Sequence, residues 1–205
     1  TAIREVVESM RPILMGKFKS AAPKGTSWDV ITQTIKKSLY DFVLGLESAG
    51  VLEGDSRNIE TISGMQGSTQ HLENAALVLE VLLEAAAPFV EMSDDLGVFI
   101  ESGTAILQDM KQWVIWLKHA GMPMPPEQKP LVRWISRSRS EARLTVTPLD
   151  IAEPFSRMMN LRKETAWVFT SATMAVGDGE FKHFTQALGI EGAEEHAWNS
   201  PFDHE

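Results

Sequence analysis

The residues most suggestive of chemistry are Thr170, Ser171 and Thr173, three hydroxyl side chains within four positions, separated only by the small Ala172. A hydroxyl both donates and accepts, so it can exchange partners among a carboxylate, water and the backbone at little cost. At the carboxyl end of a strand, such a set would face the crevice where open α/β sheets handle ligands. The same residue types also close tight turns by bonding their own backbone. On residue type alone, a ligand-handling set and a turn are both open. A second set is basic: Arg133, Arg137, Arg139 and Arg143 form the densest cationic cluster in the chain. Such a cluster can meet phosphates, or it can be the solvated edge of a hairpin.

These side chains need a scaffold. Residues 166–169, Ala-Trp-Val-Phe, read as a short buried strand that delivers the hydroxyls. Pro148-Leu149-Asp150 opens an amphipathic helix over 151–161, and a second helix over 180–188 ends at Gly189. Helix, strand, polar strand end and helix make one α/β unit, too small to close a sheet of its own, so its neighbouring strands are expected from chain outside these residues. The arginines fall in and around a predicted hairpin with strands at 131–136 and 142–147 joined by 137–141. Residues 122–130 hold four of the ten prolines. That density predicts a stiff linker dividing a domain at 1–121 from another at 131–205.

Before the linker the period is helical. Apolar stripes over 1–20, from Ser27 to Gly50, over 68–87 and from Ser93 to Gly121 predict four helices packed as an antiparallel bundle. Pro12 kinks the first or ends its first part, and Pro88 interrupts the third. Ser27 and Ser93 stand as N-caps, and Gly103 lies on the buried face of the last helix, where another helix can cross closely. The stripe Met110, Trp113 and Trp116 suits a hydrophobic core, with an aromatic platform for bases as its alternative. Glu73, Glu80 and Glu84 gather on one side of the third helix, as a solvated face or a docking surface for a basic partner. The predicted fold class is mainly α (α+β): a bundle, then a β-hairpin, then a partial α/β segment.

Composition narrows the functional classes. The chain has 205 residues and no cysteine, which excludes disulfides and thiolate metal or iron–sulfur sites within it. Its five histidines lack ligand spacing, and no metal site is expected. No apolar run approaches the roughly 18 residues of a membrane span, and the amino-terminal residues do not resemble a signal peptide, so a cytoplasmic location is expected. The net charge of −9 is uneven: residues 47–109 hold twelve acidic residues and the single Arg57. A surface that acidic repels phosphate, so nucleic acid would meet the ends of the chain. The chain starts at Thr1 and stops at Glu205, just after a Ser-Pro-Phe turn, the expected appearance of a piece of a longer protein.

One ordered series of motifs carries a resemblance. Pro148-Leu149-Asp150-Ile151-Ala152, then Val168-Phe169-Thr170-Ser171-Ala172-Thr173-Met174, a helix with Phe181, Phe184 and Leu188-Gly189, and finally Ser200-Pro201-Phe202-Asp203 resemble the end of the first motor domain of DinG/YoaA-type helicases. These belong to the XPD-like branch of superfamily 2. Trp134, in a strand before the Pro-Leu-Asp element, also fits the pattern. The resemblance makes Thr170, Ser171, Ala172 and Thr173 helicase motif III, with Met174 in place of the usual Leu. It is direct over about residues 131–205 and positional for 1–130, where the family carries its helical Arch domain.

The resemblance implies an ATP-dependent, bacterial 5′ to 3′ DNA helicase of repair or replication-stress tolerance, acting on single-stranded or forked DNA. It places the ATP and Mg2+ site, the DEAH box and the iron–sulfur cysteines outside these residues, so this chain alone is expected not to hydrolyse ATP. It makes Thr170, Ser171 and Thr173 a link between nucleotide state and DNA grip. It also suggests the chi subunit of the polymerase clamp loader as a partner. The competing reading is a stand-alone helical interaction module with an acidic docking face.

Overall fold

A computed structural model describes residues 2–123, 131–162, 164–171, 173–175 and 180–198. The chain forms two units, one of Thr1–Glu127 with Arg133–Val146 and one of Gln128–Val132 with Thr147–Glu205. Both are organised by apolar stripes, but only the first has a fully buried core.

In the first unit four helices follow the predicted stripes: α1 (Ala2–Gly16), α2 (Trp28–Ser48), α3 (Gln66–Ala86) and α4 (Asp94–Lys118). Pro12 sits inside α1 without ending it. Ser27 caps α2, its hydroxyl accepting the Val30 amide at 3.3 Å. Ser93 occupies the cap position of α4, yet its side chain makes no capping bond. The start of α4 is held by its backbone carbonyl, which accepts from the Leu96 and Gly97 amides at 3.0 and 3.3 Å. Between α3 and α4, at the predicted interruption by Pro88, a 3-10 helix runs over Ala87–Met92.

Contacts along the helices give their directions. Gly45 packs on Ser68, while Asn74 donates to Ser38 at 2.7 Å, so as α2 descends in number α3 rises. Lys111 reaches Glu80 at 2.6 Å and Lys118 reaches Glu73 at 2.7 Å, the same antiparallel relation between α3 and α4. Arg11 with Asp29, and Glu8 with Lys36, set α1 against α2 in the same way. The hydrogen bond from Lys36 holds the Glu8 carboxyl below its ordinary pKa. Gly103 admits the close crossing its position suggested, since a Cβ there would stand 2.7 Å from Leu83 Cδ2. The core joins Val7, Met10 and Leu14 of α1 to Ile35 and Leu46, Leu72, Leu79 and Leu82, and Met110, Trp113 and Leu117. Met110 and Trp113 are thus core residues, as the apolar reading of that stripe expected.

The hairpin forms as predicted, with strands β2 (Leu131–Arg137) and β3 (Ala142–Pro148) following a strand that the sequence pattern did not reveal, β1 (Ser56–Asn58). The sheet order is β1-β2-β3, and β1 pairs antiparallel with β2 in the register Ser56↔Ser136, Arg57↔Ile135 and Asn58↔Trp134. Residues 133–146 therefore belong to the helical unit. Ile135 is fully buried, and Ala142, Leu144 and Val146 lie against the same core. Gly121, with φ +79°, donates its amide to the Ile59 carbonyl at 3.0 Å and closes the end of α4 onto this connector. Of the predicted linker at 122–130, residues 124–130 lie outside the described residues.

The second unit holds α5 (Ala152–Leu161) and α6 (Lys182–Leu188). Gly189 ends α6 in the left-handed region, as expected. The expectation of a buried strand at 166–169 is corrected: these residues join no sheet, and Val168 is 82% exposed. The physical reason is the absence of a partner. A strand is held by its ladder, and among the described residues no second strand runs beside this one.

Candidate functional site

The hydroxyl set is held from below by aromatic rings. Trp167 and Phe169, two positions apart, both turn toward the helices, while Val168 between them faces outward. Phe169 packs against Phe155 of α5 at 6.0 Å and against Phe184 of α6 at 5.6 Å, and Trp167 meets Phe155 at 6.4 Å. The segment keeps the two-residue alternation of a strand with one face covered, although it has no ladder. Its Trp167 indole N–H is buried without a hydrogen-bond partner.

At the end of that segment the hydroxyls form a turn. Ser171 Oγ accepts the Thr173 amide at 3.1 Å and lies 3.2 Å from Thr173 Oγ1. Ser171 therefore does what small polar residues do in turns, and it also presents Thr173 beside itself as a paired hydroxyl. Thr170 is exposed next to them, and Ala172 lies outside the described residues. Phe169, Thr170, Ser171, Thr173, His183 and Phe184 line an open cavity of about 610 Å³. Its chemistry is that of exchangeable hydroxyls above an aromatic floor. Among the described residues no group of three or more His, Cys, Asp or Glu side chains could hold a metal ion.

The four arginines separate into two pairs. Arg133 and Arg137 alternate with Ile135 on the inner face of β2 and are only 5% and 8% exposed. Arg133 reaches Glu60 at 3.1 Å and lies 5.5 Å above the Trp116 ring. Arg137 binds Glu47 and the Val51 carbonyl, each at 3.0 Å. Their guanidiniums fasten the sheet to the helical unit, so in this arrangement they do not face phosphate. Arg139 and Arg143 are exposed and form no ion pair among the described residues. Trp116 belongs to the same fastening, edge-on to Trp113 at 5.1 Å, and is not an open platform.

The acidic face also resolves. Glu73 and Glu80 are bridged to Lys118 and Lys111 of α4, leaving Glu84 exposed at the end of the row. The sequence did not signal these cross-helix pairs, because neither lysine lies on α3.

The chain is similar to the ATP-dependent DNA helicase YoaA of Haemophilus influenzae, with 29% identity over 188 residues, 92% of this chain and 26% of that protein. Against YoaA of Escherichia coli it is 42% identical over 71 residues, 35% of this chain and 11% of that protein. The chain is related to the YoaA/DinG-type helicases. It spans about a quarter of the length of the first of these relatives. No family model and no solved structure matches it. The similarity to the first YoaA covers nearly the whole chain, the helical unit as well as the residues that follow it. No described helix is long and apolar enough to cross a membrane.

Proposed function

We propose that this chain is part of an ATP-dependent DNA helicase, contributing an Arch-like helical domain and the motif III coupling element. The observation that carries the reading is the similarity to YoaA over 92% of the chain, with Thr170, Ser171 and Thr173 gathered at the mouth of one cavity. The proposed enzyme moves 5′ to 3′ on single-stranded or forked DNA in the bacterial cytoplasm. It binds ATP and Mg2+, and the family's iron–sulfur cluster, outside these residues, since the chain has neither a GxxxxGK[ST] loop nor a cysteine. The clamp-loader chi subunit is its proposed protein partner. Arg139 and Arg143 are the proposed phosphate contacts. Arg133 and Arg137 hold the hairpin that presents them.

In the coupling role, the Ser171–Thr173 hydroxyl pair exchanges one partner for another as nucleotide state changes in the neighbouring motor motifs. The aromatic floor keeps the turn in place while the hydroxyls re-pair. The test is Thr170→Ala with Thr173→Ala in the full-length protein, read by strand unwinding and by ATP hydrolysis in parallel. Unwinding is expected to fall about tenfold more than hydrolysis, a difference of about 1.4 kcal/mol between the two readouts. Equal loss of both overturns the coupling role. These 205 residues alone serve as the control without ATP hydrolysis.

A further inference from the structure

The outer face of the three-stranded sheet has no assigned role, and its composition is specific. Ser56 Oγ and Ser136 Oγ lie 2.9 Å apart across β1 and β2, which places both side chains on one face. Trp134, two residues before Ser136, shares that face and is 37% exposed, opposite Asn58. The Ser138 amide bonds the Glu141 carbonyl at 2.9 Å, so the hairpin sets Ser136 opposite Arg143 and Trp134 opposite Thr145. Ala142, Leu144 and Val146 turn toward the core, so Arg143 and Thr145 turn outward beside Trp134.

The geometry points to this face, centred on Trp134, as a stacking platform for a base of single-stranded DNA, with Arg143 and Arg139 meeting the adjoining phosphates. The inference rests on the helicase reading and adds a base-contacting residue to it. Three observations favour nucleic acid as the occupant. The exposed cations are unpaired among the described residues, whereas the inner-face arginines are already neutralised by Glu60 and Glu47. The exposed apolar side chain on the outer face is an indole, two residues beyond the half-buried Val132, and its flat ring suits a base of any identity. Its surroundings are the hydroxyls of Ser56, Ser136 and Thr145, which can donate to phosphate or sugar oxygens. An apolar protein partner would find one exposed ring and a half-buried valine amid polar groups, too little for a hydrophobic interface core.

The platform has a definite thermodynamic signature. Stacking is tolerant of sequence and nearly independent of salt, while each phosphate contact on a single strand contributes about 0.7 to the slope of log affinity against log salt. Trp134 and Arg143 should therefore separate in a single titration.

The test uses the full-length protein and a fluorescent single-stranded oligothymidine, titrated over a range of salt. Trp134→Ala is expected to weaken binding about tenfold at every salt concentration, and Trp134→Phe to restore most of it. Arg143→Ala is expected to lower the salt slope by about 0.7. Because loss of Trp134 could disturb the sheet, a bromouracil oligonucleotide photo-crosslinked to the unaltered protein provides the second readout, with the adduct expected on the peptide containing Trp134. Unchanged affinity in a folded Trp134→Ala protein, or adducts confined to other peptides, overturns the platform while leaving the helicase reading intact. Failure of the unaltered protein to bind single-stranded DNA would overturn the helicase reading itself.

Discussion

At the level of single residues, the arginine cluster shows how one sequence feature serves two physical ends. Residue type and spacing marked Arg133, Arg137, Arg139 and Arg143 as equivalent, yet strand alternation sends the first two inward and leaves Arg139 in the turn. What could not be read in advance was the pairing: Glu47 and Glu60 lie some seventy to ninety positions earlier, brought into reach only by β1. The consequence is measurable. Arg137→Ala removes the donor to a buried backbone carbonyl and to Glu47, and is expected to cost about 2 kcal/mol. That is below the full cost of breaking a buried pair, because Glu47 itself is largely solvated. Arg139→Ala, on an exposed turn, should stay within about 0.5 kcal/mol of the parent. Urea midpoints check both. Equal destabilisation by the two changes would mean that the turn arginine, too, is structural.

Among the elements, the bundle helices were legible because their stripes repeat over about four to seven turns and each repeat agrees with the last. Strand β1 was not, since Ser56, Arg57 and Asn58 carry no apolar alternation and are ordered by pairing with Trp134 to Ser136. The segment at 166–169 shows the converse: an apolar run with strand character, but no ladder to make it one. The Ser171–Thr173 turn lies between these cases, its hydroxyls visible in sequence and their mutual bond only in the fold. Helix spacing also has a legible part and a hidden one. Gly103 stood out on an apolar face, whereas Gly45 did not, although a Cβ there would lie 2.6 Å from Ser68 Oγ and 3.3 Å from Ser68 Cα. Ser68 Oγ is itself buried without a partner. Gly45→Ala gains about 1 kcal/mol of helix propensity but overpacks the α2–α3 contact, a penalty of about 1–3 kcal/mol. A net loss of about 1 kcal/mol is expected. Adding Ser68→Ala removes the clashing hydroxyl and an unsatisfied polar atom together, so the double variant should recover the loss. Additive effects in the double-mutant cycle would refute the close crossing.

Over the molecule as a whole, the net charge of −9 sets a condition on any contact with DNA. A chain with that balance attracts no phosphate at long range, so affinity has to come from cations and rings concentrated in one place. Within the helical unit, that place is the outer face and turn of the sheet. The acidic row on α3 competes with it only if its field reaches that far. The hairpin turn lines one small cavity with Leu72 of α3, and Glu80 and Glu84 lie eight and twelve positions further on, about 12 and 18 Å along a helix rising 1.5 Å per residue. The Debye length is about 8 Å at physiological ionic strength, so these carboxylates are largely screened from the hairpin. Glu80 is further neutralised by Lys111. Glu80→Gln with Glu84→Gln in the full-length protein is therefore expected to change single-stranded DNA affinity by less than twofold and to leave the salt slope unaltered. The interaction-module alternative makes the opposite demand, because there the same two carboxylates are the docking surface and their loss would abolish capture of a basic partner. Unwinding that survives the double change intact favours the helicase. Its selective loss, with DNA binding and ATP hydrolysis preserved, would instead give the acidic row a working role.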